Sequence, residues 1–94
     1  MYYFDWDENK SKINLEKHGI TFEEAITVFF DDRAILFDDP EHSKDEDRFL
    51  LLGMSVTAKV CIVCHCYRES DTVIRIISAR QATKREEQRY VRGI

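Results

Sequence analysis

Apolar residues along this chain change their period once, and that change divides it into helical and extended parts. Phe22, Ala25, Ile26 and Phe29 recur at i, i+3, i+4 and i+7, the spacing of one buried helical face. Thr21 and Glu24 stand ahead of them as a T-x-x-E capping box, so the spacing predicts a helix opening there. Upstream, after the short apolar opening "YYFDW", Asp7 can cap a helix running to about His18. Gly19 follows where a left-handed C-terminal cap is wanted. From residue 33 the period shortens. "RAILF", "RFLLLGMSV", "KVCIVCHCY" and "TVIRIISAR" read as strands. The charged loop "DDPEHSKDED", which holds the only proline, and short polar links join them, and links that short favour antiparallel hairpins. Thr83 and Glu86 form a second T-x-x-E box, which opens a last helix over "KREEQRYV".

These elements predict an α+β domain spanning residues 1–94: two N-terminal helices, an antiparallel sheet of about four strands, and a C-terminal helix. Helices gathered on one side of the sheet leave its other face open and concave. No repeat, linker or low-complexity segment interrupts this order.

A chain of 94 residues is enough for one modest core and too short for two. No apolar run approaches the roughly 20 residues that a membrane helix needs. The start "MYYFDWDENK" has neither the basic nor the apolar segment of a signal peptide, so the expected location is the cytoplasm, with cysteines reduced. The net charge of -4 argues against simple nucleic-acid binding, but the charge is uneven. Residues 1–47 carry 14 acidic and 5 basic side chains, a balance of -9, whereas residues 48–94 carry 4 and 9, a balance of +5. Such asymmetry points either to a polyanion-binding end or to two halves that complement each other within one fold.

The strand segment "VCIVCHCY" contains Cys61-x-x-Cys64-His65, the spacing of covalent haem attachment. Alternation along a strand sends Cys61 and Cys64 to opposite faces, whereas a haem clip or a zinc site needs converging ligands. The segment therefore reads as a core strand with small apolar thiols. His42 stands among carboxylates in the loop, where a solvated charge run is favoured over a divalent metal. No metal or other cofactor is expected.

Three motifs in order carry a family resemblance: "FDWDENKSKINLEKHGITFEEA", "DPEHSKDEDR" and "IRIISARQATKREEQRY". The chain resembles the BrnT toxins of bacterial type II toxin–antitoxin modules. The resemblance implies a RelE-like fold and a ribonuclease activity that cleaves RNA and inhibits translation. It also implies neutralisation by a BrnA-like antitoxin with a DNA-binding region, and a possible homodimer within the toxin–antitoxin complex. A rival from another class is a ParE-like toxin that binds and poisons DNA gyrase without cutting anything.

RNA cleavage without a metal needs a base for the 2′-hydroxyl, a donor for the leaving 5′-oxygen, and fixed positive charge at the phosphate. Arginine suits the charge, because its planar fork binds phosphate bidentately. Arg80, Arg75 and Arg48 are the candidates for that role, and His65 for proton transfer. Arg80 ends the last strand at a strand-to-helix corner, with a salt bridge as its structural alternative. Arg75 and Arg80 have opposite parity, and share a face only if a bulge intervenes. Lys17 and His18, at the end of the first helix, and Arg85 and Arg89, on the last, are candidates for holding substrate; the helix dipole and solvation are the bland alternatives.

Overall fold

The structure, a computed structural model, describes residues 2–44 and 46–93, without the side chain of His42. The loop metal alternative, which turns on His42, lies outside the described residues.

Local chemistry sets the first helix. α1 spans Glu8–His18, with Asp7 Oδ1 accepting the N–H groups of Asn9 (2.8 Å) and Lys10 (3.2 Å). It ends at Gly19, whose φ of 70° is the left-handed value glycine adopts without strain. α2 spans Phe22–Thr27 and tightens into a 3-10 turn at Val28–Phe30. The tightening shifts the buried stripe to Phe22, Ala25 and Val28, while Ile26 and Phe29 are only partly buried against the same core. The expected capping box at α2 is half formed. Thr21 Oγ1 accepts the Glu24 N–H, but the Glu24 carboxylate accepts the hydroxyls of Ser55 (2.8 Å) and Thr57 (2.6 Å) instead. Two hydroxyl donors from a distant turn outcompete one backbone N–H nearby.

The sheet corrects the expected count and pairing. It has five strands in the order β1-β5-β4-β3-β2: β1 Tyr3–Asp5, β2 Ile35–Asp38, β3 Phe49–Met54, β4 Val60–Arg68 and β5 Val73–Gln81. The sheet is mixed, because β1 runs parallel to β5 with Tyr3 opposite Val73 and Asp5 opposite Arg75. Three residues are too few for a periodic signal, which is why "YYFDW" did not read as a strand. The other pairings are antiparallel, as expected.

Helices cover both faces, not one. On the inner face Phe22, Ala25 and Val28 pack against Cys61, Val63, Ile74, Ile76 and Ala79. On the other face α3, Lys84–Arg92, lays Tyr90 against Leu52 and Ile62. Its complete capping box, Thr83 with Glu86, forms as the sequence predicts. The Tyr90 hydroxyl donates to Asp31 Oδ2 at 2.6 Å, and Arg89 lies 4.7 Å over the Phe37 ring. α3 thus closes the β2–β3 side of the outer face and leaves its β4–β5 side open. No helix among the described residues is long and apolar enough to cross a membrane.

Candidate active site

β5 carries an irregularity that decides where its arginines point. Cys64 pairs with Ser78, but the next residue, His65, pairs with Ile76, so Ile77 is an extra residue in β5. Before the bulge Arg75 lies opposite Cys66, and beyond it Arg80 lies opposite Ile62, so both arginines emerge on the outer face. The bulge that their parity required is present. Their partners lie four positions apart on β4, or about 13 Å along the strand. Arg75 stays at the far end, 3.4 Å from Asp5 of β1.

A groove of about 320 Å³ opens on this face. Its floor is Ile62, Cys64, Ile77 and Ser78, and its rim brings together Arg80, Arg48 and His18 with the carboxylates of Asp39 and Glu41. A larger cavity of about 550 Å³ at Tyr2, Phe49 and Tyr67 is rimmed by Glu46, Asp47 and Asp71. No cation stands among its described lining residues, whereas two arginines line the smaller groove.

His18 reaches the groove because of Asn14, one turn earlier on α1. β1 stops opposite Arg75, which leaves the later part of β5 paired with β4 on one edge and with no strand on the other. The buried Asn14 amide fills that place, donating to Ala79 O (2.8 Å) and Ile20 O (2.9 Å) and accepting the Ala79 N–H (3.0 Å). α1 is thereby fixed along the strand edge beside Arg80.

Arg48 is placed by the loop before β3. Its N–H donates to Ser43 Oγ (2.9 Å), its carbonyl accepts the Asp39 N–H (2.9 Å), and the Ser43 hydroxyl donates to Asp39 O (2.6 Å). The same ties hold Asp39 over the floor, 3.9 Å from Cys64 Sγ. The Arg48 guanidinium lies 3.7 Å from Glu46, and its Nε is buried with no acceptor among the described residues.

Arg80 is bound more tightly. Nη1 donates to Glu86 Oε1 at 2.8 Å and to Gln81 O at 3.2 Å, while Nη2 donates to Glu86 Oε2 at 3.0 Å. The Arg80 bond holds the Glu86 carboxyl down to about 2, and the same bond raises Arg80 further above its ordinary range.

The remaining candidates lie apart from the groove. His65 is fully buried on the inner face, its ring 4.8 Å from Phe29, 5.5 Å from Tyr67 and 6.1 Å from Phe49. Its Nδ1 meets Val63 O at 3.1 Å, Nε2 meets no partner among the described residues, and burial pushes its pKa down. Lys17 is exposed on α1, Arg85 is exposed on α3, and Arg89 packs on Phe37. Cys61 sits in the inner core and Cys64 in the groove floor, on opposite faces, and burial pushes both thiols up to about 11. Among the described residues no three His, Cys, Asp or Glu side chains gather as a metal site.

Sequence reasoning missed Asn14, Asp39, Glu41 and the second role of Glu86. Asn14 and Glu86 lie inside the motifs quoted above, but spacing alone showed only a helix surface and a cap.

The sequence profile of the family described as "Ribonuclease toxin, BrnT, of type II toxin-antitoxin system" matches residues 6–86. A 1.1 Å crystal structure of the Brucella abortus ribonuclease toxin, BrnT, is similar in fold, with a TM-score of 0.69 and 22% identity over 89% of this chain and 100% of that one. No curated protein matches the chain. The profile runs from Trp6 to Glu86 and so takes in the whole groove. The chain belongs to the BrnT family of ribonuclease toxins of type II toxin–antitoxin systems.

Proposed function

We propose that this toxin cleaves RNA without a metal ion in the groove between Arg48 and Arg80, and that the cleavage inhibits translation. The observation that carries the reading is the meeting of two arginines, an imidazole and two carboxylates over one open cleft. The 2′-oxygen forms a bond to the adjacent phosphorus as the bond to the 5′-oxygen breaks. The proton of the 2′-hydroxyl passes to a groove base, Asp39, Glu41 or His18, and a groove acid gives one to the departing 5′-oxygen. Arg48 and Arg80 hold the non-bridging oxygens as their charge grows. Arg75, further along the same face, meets a flanking phosphate, and Lys17, Arg85 and Arg89 supply outlying positive charge.

A BrnA-like antitoxin with a DNA-binding region neutralises the toxin in the cytoplasm by covering the open face, in a complex that can hold a toxin dimer. The RelE-like reading of the fold and the single domain over residues 1–94 belong to this proposal. No specific observation favours the gyrase-binding alternative.

The test is incubation of purified protein with end-labelled RNA in EDTA, with Arg80→Ala alongside. The expected result is cleavage by the wild type, with 2′,3′-cyclic phosphate ends, and intact RNA with a normally melting Arg80→Ala. Cleavage that needs added magnesium would overturn the metal-free mechanism. Intact RNA in every lane, with gyrase inhibited, would replace the ribonuclease by the binding toxin.

A further inference from the structure

We infer that Glu86 is a positioning residue for RNA cleavage, fixing Arg80 so that its Nε edge faces the groove and takes the phosphate side-on. The inference rests on the active-site reading above. A guanidinium has five N–H groups and two edges that can bind an oxyanion bidentately, one through Nη1 and Nη2 and one through Nε and Nη2. Glu86 occupies the first edge with both carboxylate oxygens, at 2.8 and 3.0 Å, and Gln81 O takes the other Nη1 hydrogen. The Nε hydrogen and the second Nη2 hydrogen meet no acceptor among the described residues. They form the remaining edge on a side chain that is 41% exposed and lines the groove.

The carboxylate is itself fixed. Glu86 Oε1 also accepts the Thr83 N–H at 2.8 Å, a backbone bond that does not depend on the Thr83 side chain. The helix behind it is pinned by Tyr90 on Asp31 at 2.6 Å. Arg80 therefore hangs from a rigid post.

Charge alone would argue against this arrangement, because a carboxylate beside the site repels the phosphate that Arg80 is to bind. Orientation is the benefit that offsets it, since one planar fork held in place loses little freedom when phosphate arrives. The two effects separate on substitution. Glu86→Gln removes the charge and one fork oxygen, while glutamine still serves in a capping box.

The experiment measures kcat and KM for oligoribonucleotide cleavage by Glu86→Gln, with Thr83→Ala as a control that weakens the helix start but leaves the fork. For Glu86→Gln we expect kcat to fall by about 10- to 100-fold, with KM unchanged or lower. Thr83→Ala is expected to melt earlier and keep its kcat. An unchanged or higher kcat in Glu86→Gln overturns the inference, as does an equal loss of kcat in Thr83→Ala, which would assign the effect to the helix start. If Glu86→Gln melts below the assay temperature, Glu86→Asp replaces it, with the same fall in kcat expected and an unchanged kcat again decisive. Full cleavage by Arg80→Ala sinks the active-site reading itself. An inactive Arg80→Ala beside a fully active Glu86→Gln sinks only the role of Glu86.

Discussion

The side-chain amide of Asn14 does for Ala79 what a neighbouring strand does elsewhere in the sheet. It accepts the Ala79 N–H at 3.0 Å and donates to the Ala79 carbonyl at 2.8 Å, across 65 residues of sequence. A residue one position from Arg80 is therefore held by a helix that also carries His18.

Asn14→Ala leaves three buried backbone groups without partners, and the expected loss is about 2–4 kcal/mol of stability in urea unfolding. Asn14→Asp turns carboxylate oxygens toward the carbonyls of Ile20 and Ala79. Burial beside those carbonyls raises the folded pKa of the new carboxyl, so the variant should recover part of its loss as pH falls toward the unfolded value of about 3.9, where the protonated carboxyl can donate. A melting curve indistinguishable from wild type would show that the β5 edge needs no such partner.

His65 predicts an acid-sensitive fold. Burial lowers its folded pKa, so below the unfolded value of about 6.5 the unfolded chain takes up a proton that the folded one resists. Stability from the neutral ring is present above that pH and is lost as pH falls toward the folded value, at no more than about 1.4 kcal/mol per pH unit. His65→Phe, in a box already lined by Phe29, Phe49 and Tyr67, should flatten the dependence of melting temperature on pH between 5 and 7. An equal slope in both proteins would assign the acid sensitivity elsewhere.

Arg80→Ala should lower the cleavage rate by about 100- to 1000-fold, the cost of losing one preorganised donor at a developing oxyanion. Arg80→Lys should recover little, because a point charge on a flexible stem reproduces neither the fork to Glu86 nor the second edge toward phosphate. Single-turnover rates on one labelled RNA measure both. A lysine variant within tenfold of wild type would mean that charge suffices and geometry does not matter.

Gly53→Ala tests the packing of β3 under the 3-10 turn. A Cβ there would lie 2.8 Å from Val28 Cγ1 and 2.9 Å from Ala34 Cβ, so the turn must shift. The expected cost is about 1–3 kcal/mol, read as a lower urea midpoint with an unchanged slope. An unchanged midpoint would show that the turn yields freely.

The features legible in the sequence are those set by neighbours three or four residues apart. Asp7 with Gly19, and Thr83 with Glu86, mark helix ends as the structure has them, because a cap is closed by backbone groups of the same turn. Alternation likewise placed Cys61 and Cys64 on opposite faces of β4, since adjacent side chains in a strand cannot point the same way. The resemblance in "ISAR" drew attention to Arg80, which does line the groove.

Distance in sequence hid the rest. The Glu24 carboxylate looked like half of a cap until Ser55 and Thr57 came close enough to take it. Parity said that His65 faces with Val63, but only packing decided that this face lies under the 3-10 turn and α2 while α3 covers the β2–β3 side of the other.

The chain by itself determined its helix caps, its strand parities and the residue types able to bind phosphate, because these follow from contacts within a turn or a single strand. The tertiary structure alone decided that Ile77 is extruded from β5, so that Arg75 and Arg80 share a face. It also decided that Asn14 replaces a missing strand, and that Arg48, His18 and Arg80 meet over one groove. Those choices depend on sheet register and on what the fold brings together from far apart in the chain, Arg48 and Arg80 on one groove and Asn14 bonded to Ala79. Their free energy comes from burying the whole core at once, and no local window of sequence contains it.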